Sequence, residues 1–162
     1  MSAQNSYESG LKKGYAGQLA DIGWNDVVTG TVVAAGSDVK PSNAVSVETT
    51  SEKDRIVALG VASVNQFAGL AVRDLADEVV AGNIVYQEKD SLPILQSGHM
   101  YCVIPTGGNA SNKLKVNATT GVVDVGVAGP GEFQLDGNLE EVTAAGEVGL
   151  IHLRSLTVVA GS

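Results

Sequence analysis

The sequence predicts an all-β fold: a compact small β-sandwich or β-barrel of short strands with an extended N-terminal arm. Three observations carry this expectation. Valine is the commonest residue, at 24 of 162 positions; its β-branched side chain suits a pleated surface and loses rotamer freedom in a helix. Apolar residues recur with period two or in short fully apolar runs. Turn residues such as Thr106–Gly107–Gly108 and Gly129–Pro130–Gly131 interrupt these runs at close intervals. That punctuation belongs to sandwiches and barrels rather than to alternating βαβ units.

Residues 1–14 are polar, contain Gly10 and Gly14, and read as an arm carrying Tyr7 and Leu11. Residues 15–162 read as a single β-rich domain. The stretch 16–24 (AGQLADIGW) is too short and too glycine-broken for a helix. Strands are expected over 27–34 (VVTGTVVA), over 44–48 with Val45 and Val47 on one face, over 56–64 and over 67–72. Residues 70–79 (LAVRDLADEV) are the one helical candidate, and fit a strand followed by a loop equally well. Residues 78–86 break at Ala81–Gly82, and 99–104 (HMYCVI) stop at Pro105, which cannot donate to a ladder. Further strands are expected over 122–127, 147–153 and 156–159. Asp136–Gly137 separates 132–135 from 139–142 and predicts a hairpin, because both central residues tolerate positive φ.

Size and charge narrow the class. A chain of this length builds one domain with a core that needs no disulfide, and its single cysteine, Cys102, allows none within the chain. Eighteen carboxylates against ten Lys and Arg give a net charge of −8. That balance opposes phosphate contacts, so no direct nucleic-acid binding is expected. No run approaches the ~20 apolar residues of a membrane helix, so no membrane partner is expected. The N-terminus lacks an apolar core region, so no secretory signal is expected.

The search for chemistry is negative. His99 and His152 are the only imidazoles, and no third ligand stands at a recognisable spacing, so neither metal nor cofactor is expected. Cys102 falls three residues after His99, on the opposite face of a strand. It lies in an apolar run, where a thiol behaves as an inert small hydrophobe. No G-x-S-x-G elbow occurs, and residues 107–113 miss the phosphate-loop spacing. No catalytic residue is nominated. Between Lys115 and Arg154 there is no basic residue, while Asp124, Glu132, Asp136, Glu140, Glu141 and Glu147 supply six acids. They read either as a face that steers a partner or as a solvated acidic surface.

Several phrases, in order, resemble the head-decoration or structural cement proteins of tailed bacteriophages. Residues 14–21 (GYAGQLAD) are similar to that family's G-x-x-G-x-[LI]-A-D opening. Residues 67–72 (FAGLAV) look like its central G-[VL]-A-V segment. Residues 81–86 (AGNIVY) match its A-G-[DN]-x-V step, which leads to a G-x-x-x-V run at 98–103. Residues 145–153 (AGEVGLIHL) are like its closing strand.

The resemblance implies a non-enzymatic β-rich protein, synthesised in the host cytoplasm. It would bind the outer surface of the capsid and bridge neighbouring major capsid protein subunits, as a homodimer or homotrimer at symmetry axes. Tyr7, Leu11, Lys12, Lys13 and Tyr15 are the expected interface residues, since the arm and its root hold two of only four tyrosines, a residue type favoured at interfaces. The competing reading has Tyr15 and Trp24 capping the barrel core. The rival functions are a carbohydrate- or ligand-binding β-sandwich, which seven aromatics poorly support, and a small hydrolase built on His99 or His152.

Overall fold

The structure, a computed structural model, describes residues 14–20, 23–32, 38–47, 56–73 and 84–162. Among these it contains nine strands and no helix. They are β1 (Asp26–Val32), β2 (Ala44–Val47), β3 (Ile56–Leu59), β4 (Phe67–Ala71), β5 (Ser91–Ile104), β6 (Lys113–Asn117), β7 (Val123–Val125), β8 (Glu132–Leu139) and β9 (Glu147–Ala160). They form one sheet in the order β1-β3-β2-β4-β5-β9-β8-β6-β7. Because β1 also pairs antiparallel with β5, the first five strands close on themselves. The sandwich-or-barrel expectation resolves into a small closed barrel continued by four further strands.

Each part has its own core. Val39, Val45, Val57, Ala68, Ala71, Tyr86, Leu92 and Ile94 form one buried cluster. The second contains Met100, Cys102, Ile104, Leu114, Leu139, Ile151 and Leu153, together with Ala44, Phe67, Leu70 and Leu95 from the barrel strands. Strand β4 supplies both clusters, and all five of its residues are buried. This explains the continuous apolar run FAGLA: a strand covered on both faces has no polar side to show. On β2 the same double burial places Ala44, Val45 and Ser46 all inside, so its alternation is less clean than expected.

Two expected strands prove to be halves of longer ones. Strand β5 starts eight residues before His99 and runs 14 residues to Ile104, stopping before Pro105 as expected. Pro93 fits within it by offering its carbonyl, which accepts from Val72 N at 2.8 Å. Strand β9 is likewise continuous where two short strands were expected.

The expected hairpin at Asp136–Gly137 is absent. Strand β8 passes straight through, and its register against β9 slips from Leu135↔Val158 to Gly137↔Leu153. The extra residues, Arg154–Thr157 opposite Asp136, lie on β9, so the irregularity is a bulge of that strand, and neither Asp136 nor Gly137 takes a positive φ. A Cβ on Gly137 would strike His152 O, so close approach of β9 selects the glycine. The expected helical candidate is a strand through Ala71; residues 74–80 lie outside the described residues, as does the break at Ala81–Gly82.

Strand β5 holds the two parts together. It pairs with β1 as far as Asp26↔Ser97 and with β9 from Gly98↔Leu153 onward. The β1 register skips Gln96, a bulge just before the changeover. Gly98 has φ +131°, and a Cβ there would collide with Asn25 Oδ1, which accepts a hydrogen bond from His99 N at 2.8 Å.

Gly98→Ala forces a side chain into a region of φ reserved for glycine, and is expected to cost about 2 kcal/mol or more; chemical denaturation measures it. At the far end of the sheet, Lys115 Nζ lies 3.0 Å from Glu132 Oε1, and Gly129 N donates to Glu132 Oε2 at 2.9 Å. The Gly129 amide first, then Lys115, hold the Glu132 carboxyl below its ordinary value. Its stabilising contribution is therefore complete above the ordinary glutamate range and is lost as pH falls towards the depressed folded value. Glu132→Gln is expected to flatten the decline in Tm between about pH 6 and about pH 3 relative to the wild type, read by thermal melts across that range.

Candidate functional site

Residues 14–20 are stitched to the free edge of the second half of β5. Gly17 N donates to Tyr101 O at 2.7 Å, Tyr101 N to Gln18 O at 2.9 Å, and Ala20 N to His99 O at 3.0 Å. Gly14 lies against the Tyr101 ring, leaving no room for a Cβ. On the other side Arg73 N donates to Gly17 O at 2.8 Å. Residues 14–20 are thus fixed by main-chain bonds, with glycine required at Gly14 and Gly17 by close neighbours. This is why a short glycine-rich stretch with little periodicity takes a defined place.

Tyr15 lies in this segment and is 55% exposed. The Arg73 guanidinium stacks over its ring, 4.5 Å from the centroid, a favourable cation–π arrangement. Arg73 Nε is buried and has no hydrogen-bond partner. Beside it opens a cavity of about 320 Å³ lined by Lys40, Asn43, Arg73, Val103 and Val122 among others. Trp24 lies near the other end of the stitched edge, where its carbonyl abuts Gly98; its side chain is 95% exposed. Neither Tyr15 nor Trp24 caps a core, which corrects that reading. Of the expected interface residues, the structure places Tyr15; Tyr7, Leu11, Lys12 and Lys13 lie outside the described residues.

The acidic stretch is not a bare negative face. Glu132 is paired with Lys115. Asp136 Oδ1 lies 3.8 Å from Arg154 Nη1, and its other oxygen accepts from Ser155 Oγ at 2.8 Å. Asp124 accepts from Thr106 Oγ1 at 2.7 Å, and Glu141 from Leu150 N at 3.1 Å. The two cations that bound the stretch in sequence neutralise acids within it, because the β6–β8–β9 order folds them together.

The same pairing unites the histidines. His99 and His152 are directly opposite on β5 and β9, with rings stacked at 4.1 Å between centroids and 11° between planes. Glu140, just after β8, brings Oε1 to 3.7 Å from His152 Nδ1. Burial of the ring, then the neighbouring His99, hold the His152 imidazole below its ordinary value. The third group missing from the linear spacing is therefore supplied by the fold. Cys102 is buried on the opposite side of β5, as its offset from His99 predicts. Burial pushes its thiol far up, with Ser42 opposing weakly, so it offers no thiolate for nucleophilic chemistry.

A β-only fold with an exposed tryptophan, a tyrosine–arginine stack and an inert thiol has the features of a binding surface. Residues 3–154 match the phage family described as structural cement protein (E217 gp24/Pam3 gp6). The chain belongs to that structural cement protein family, and its role is that of a capsid cement, or decoration, protein. No curated protein matches it. Among solved structures it is similar to a chain of "The capsid of Myoviridae Phage XM1", with a TM-score of 0.66 at 18% identity, covering 95% of this chain and 98% of that one. At that identity the likeness concerns the fold.

The inert thiol is directly testable. In the native protein Cys102 is expected to resist a thiol-specific reagent such as DTNB for hours, and to react fully in guanidinium; rapid native labelling would contradict the burial described.

Proposed function

We propose that this cement protein sits on the outer surface of an assembled phage head and bridges neighbouring major capsid protein subunits, acting without catalysis as a homodimer or homotrimer at symmetry axes. Residues 1–14 and Tyr15 lie along a capsid subunit or a sister protomer. The observation that carries this reading is Trp24, wholly exposed beside a segment locked to β5, with the Tyr15–Arg73 stack on the same segment. Trp, Tyr and Arg are the residue types that dominate binding hot spots, and a large aromatic held rigidly in water loses little conformational freedom on docking.

The net charge of −8 favours the outside of a DNA-filled shell. Repetition lets modest contacts suffice, since symmetric copies linked through one shell engage together.

Binding to expanded heads lacking this chain tests the reading, with cryo-electron reconstruction placing the bound density. Trp24→Ala, and separately a deletion of residues 1–14, are each expected to weaken binding by about tenfold or more, as hot-spot loss does. The Tm of Trp24→Ala should stay unchanged, since the side chain buries nothing. Undiminished binding by the deletion removes the arm from the interface, and undiminished binding by Trp24→Ala removes the tryptophan.

A further inference from the structure

The His99–His152–Glu140 cluster has no part in the docking surface just described. One potential ligand atom from each of the three residues lies within 4.8 Å of the others. We propose that these side chains form a surface site for a single divalent transition-metal ion of the zinc type, completed by water.

The donor set suits that ion: two imidazoles and one carboxylate are ligands zinc takes in sites that keep a position open. Carboxylate-only chemistry, which would suit calcium or magnesium, is absent from the cluster. Placement is set by the sheet. Direct opposition across β5 and β9 puts both rings on one face, and no loop motion enters.

Neighbouring bonds hold the groups around the ligands. Asn138, opposite His152 on β8, donates from Nδ2 to Glu140 Oε1 at 2.7 Å. Asn25 Oδ1 fixes the main chain at His99. Such outer partners orient ligands in metal sites. The nearby cation, Arg154, is engaged by Asp136 and by Asn138 Oδ1.

A further sign is His99 Nδ1, buried and without a hydrogen-bond partner. Buried polar atoms are normally satisfied, and one that is not calls for an explanation. Donor atoms around a tetrahedral zinc stand about 3.3 Å apart, given bonds of 2.0–2.1 Å. Closing from the observed spacing requires the His152 ring to rotate out of its stack on His99, because parallel rings 4.1 Å apart aim their in-plane lone pairs side by side. His152 and Glu140 have room for it, with side chains 32% and 35% exposed. The same exposure leaves the remaining coordination positions to water.

Titration of the full-length protein with zinc chloride, followed by calorimetry, is the test. One ion per chain is expected, with a dissociation constant in about the micromolar range. His99→Ala and His152→Ala are each expected to weaken binding by about a hundredfold, and Glu140→Gln by about tenfold. In the wild type, both imidazoles should move together in NMR spectra as zinc is added. The chain has only two histidines, so the signals are unambiguous. That measurement decides the matter even if a variant fails to fold. Absence of binding at millimolar zinc, perturbation of only one ring, or unaltered affinity in a folded His99→Ala/His152→Ala variant would each overturn the site.

Discussion

Strand β5 is the constraint on which the rest of the molecule depends. Its first half closes the barrel against β1 and β4, and its second half carries β9 and, through β9, the remaining strands. One continuous strand cannot serve two differently oriented neighbours without changing direction. The bulge at Gln96 and the positive φ of Gly98 supply that change where the partners swap. Met100, Cys102 and Ile104 then point into the second core, while Leu92 and Ile94 point into the first. The edge vacated by β1 beyond Ser97 is taken by residues 17–20, so the changeover in β5 also creates the seat of that segment.

The two cores are welded at strands buried on both faces. Ala44, Phe67, Leu70 and Leu95 lie in one cluster while Val45, Ala68, Ala71 and Ile94, their chain neighbours, lie in the other. Parts that share strands cannot separate without exposing both interiors. A load applied across the two parts crosses a continuous ladder of hydrogen bonds rather than a flexible linker. Polar side chains strengthen the outer strands, where Lys115–Glu132 joins β6 to β8 and Asp136 ties β8 to the β9 bulge. Partly exposed pairs of this kind contribute little singly, and their value is in fixing register.

Much of the fold was legible in the chain. The valine runs expected at 27–34, 56–64 and 122–127 each contain a strand, over the described 27–32, 56–59 and 123–125, because pleat geometry and side-chain shape act locally. The family resemblance lay in short glycine-marked phrases, and one of them contains Gly98. Other features were misread for a physical reason. Asp136–Gly137 has the backbone freedom of a hairpin turn, but neither residue uses it: the glycine is required because β9 passes too close for a Cβ, and only the partner strand decides that. Strand β6 went unread because Lys113, Lys115 and Asn117 cover its exposed face, leaving only Leu114 and Val116 apolar.

The sequence by itself determined the all-β class, the inertness of Cys102 and the family, since composition, strand parity and ordered local phrases are properties of neighbouring residues. Tertiary structure alone decided which distant groups meet. It placed Trp24 in solvent when an apolar aromatic was equally fit to cap a core, and brought Arg73 onto Tyr15. It also set His99, His152 and Glu140 together, by a register that pairs His99 with His152, 53 residues further on. Pairing across a sheet is fixed by the summed burial of both cores, and no local pattern encodes that sum.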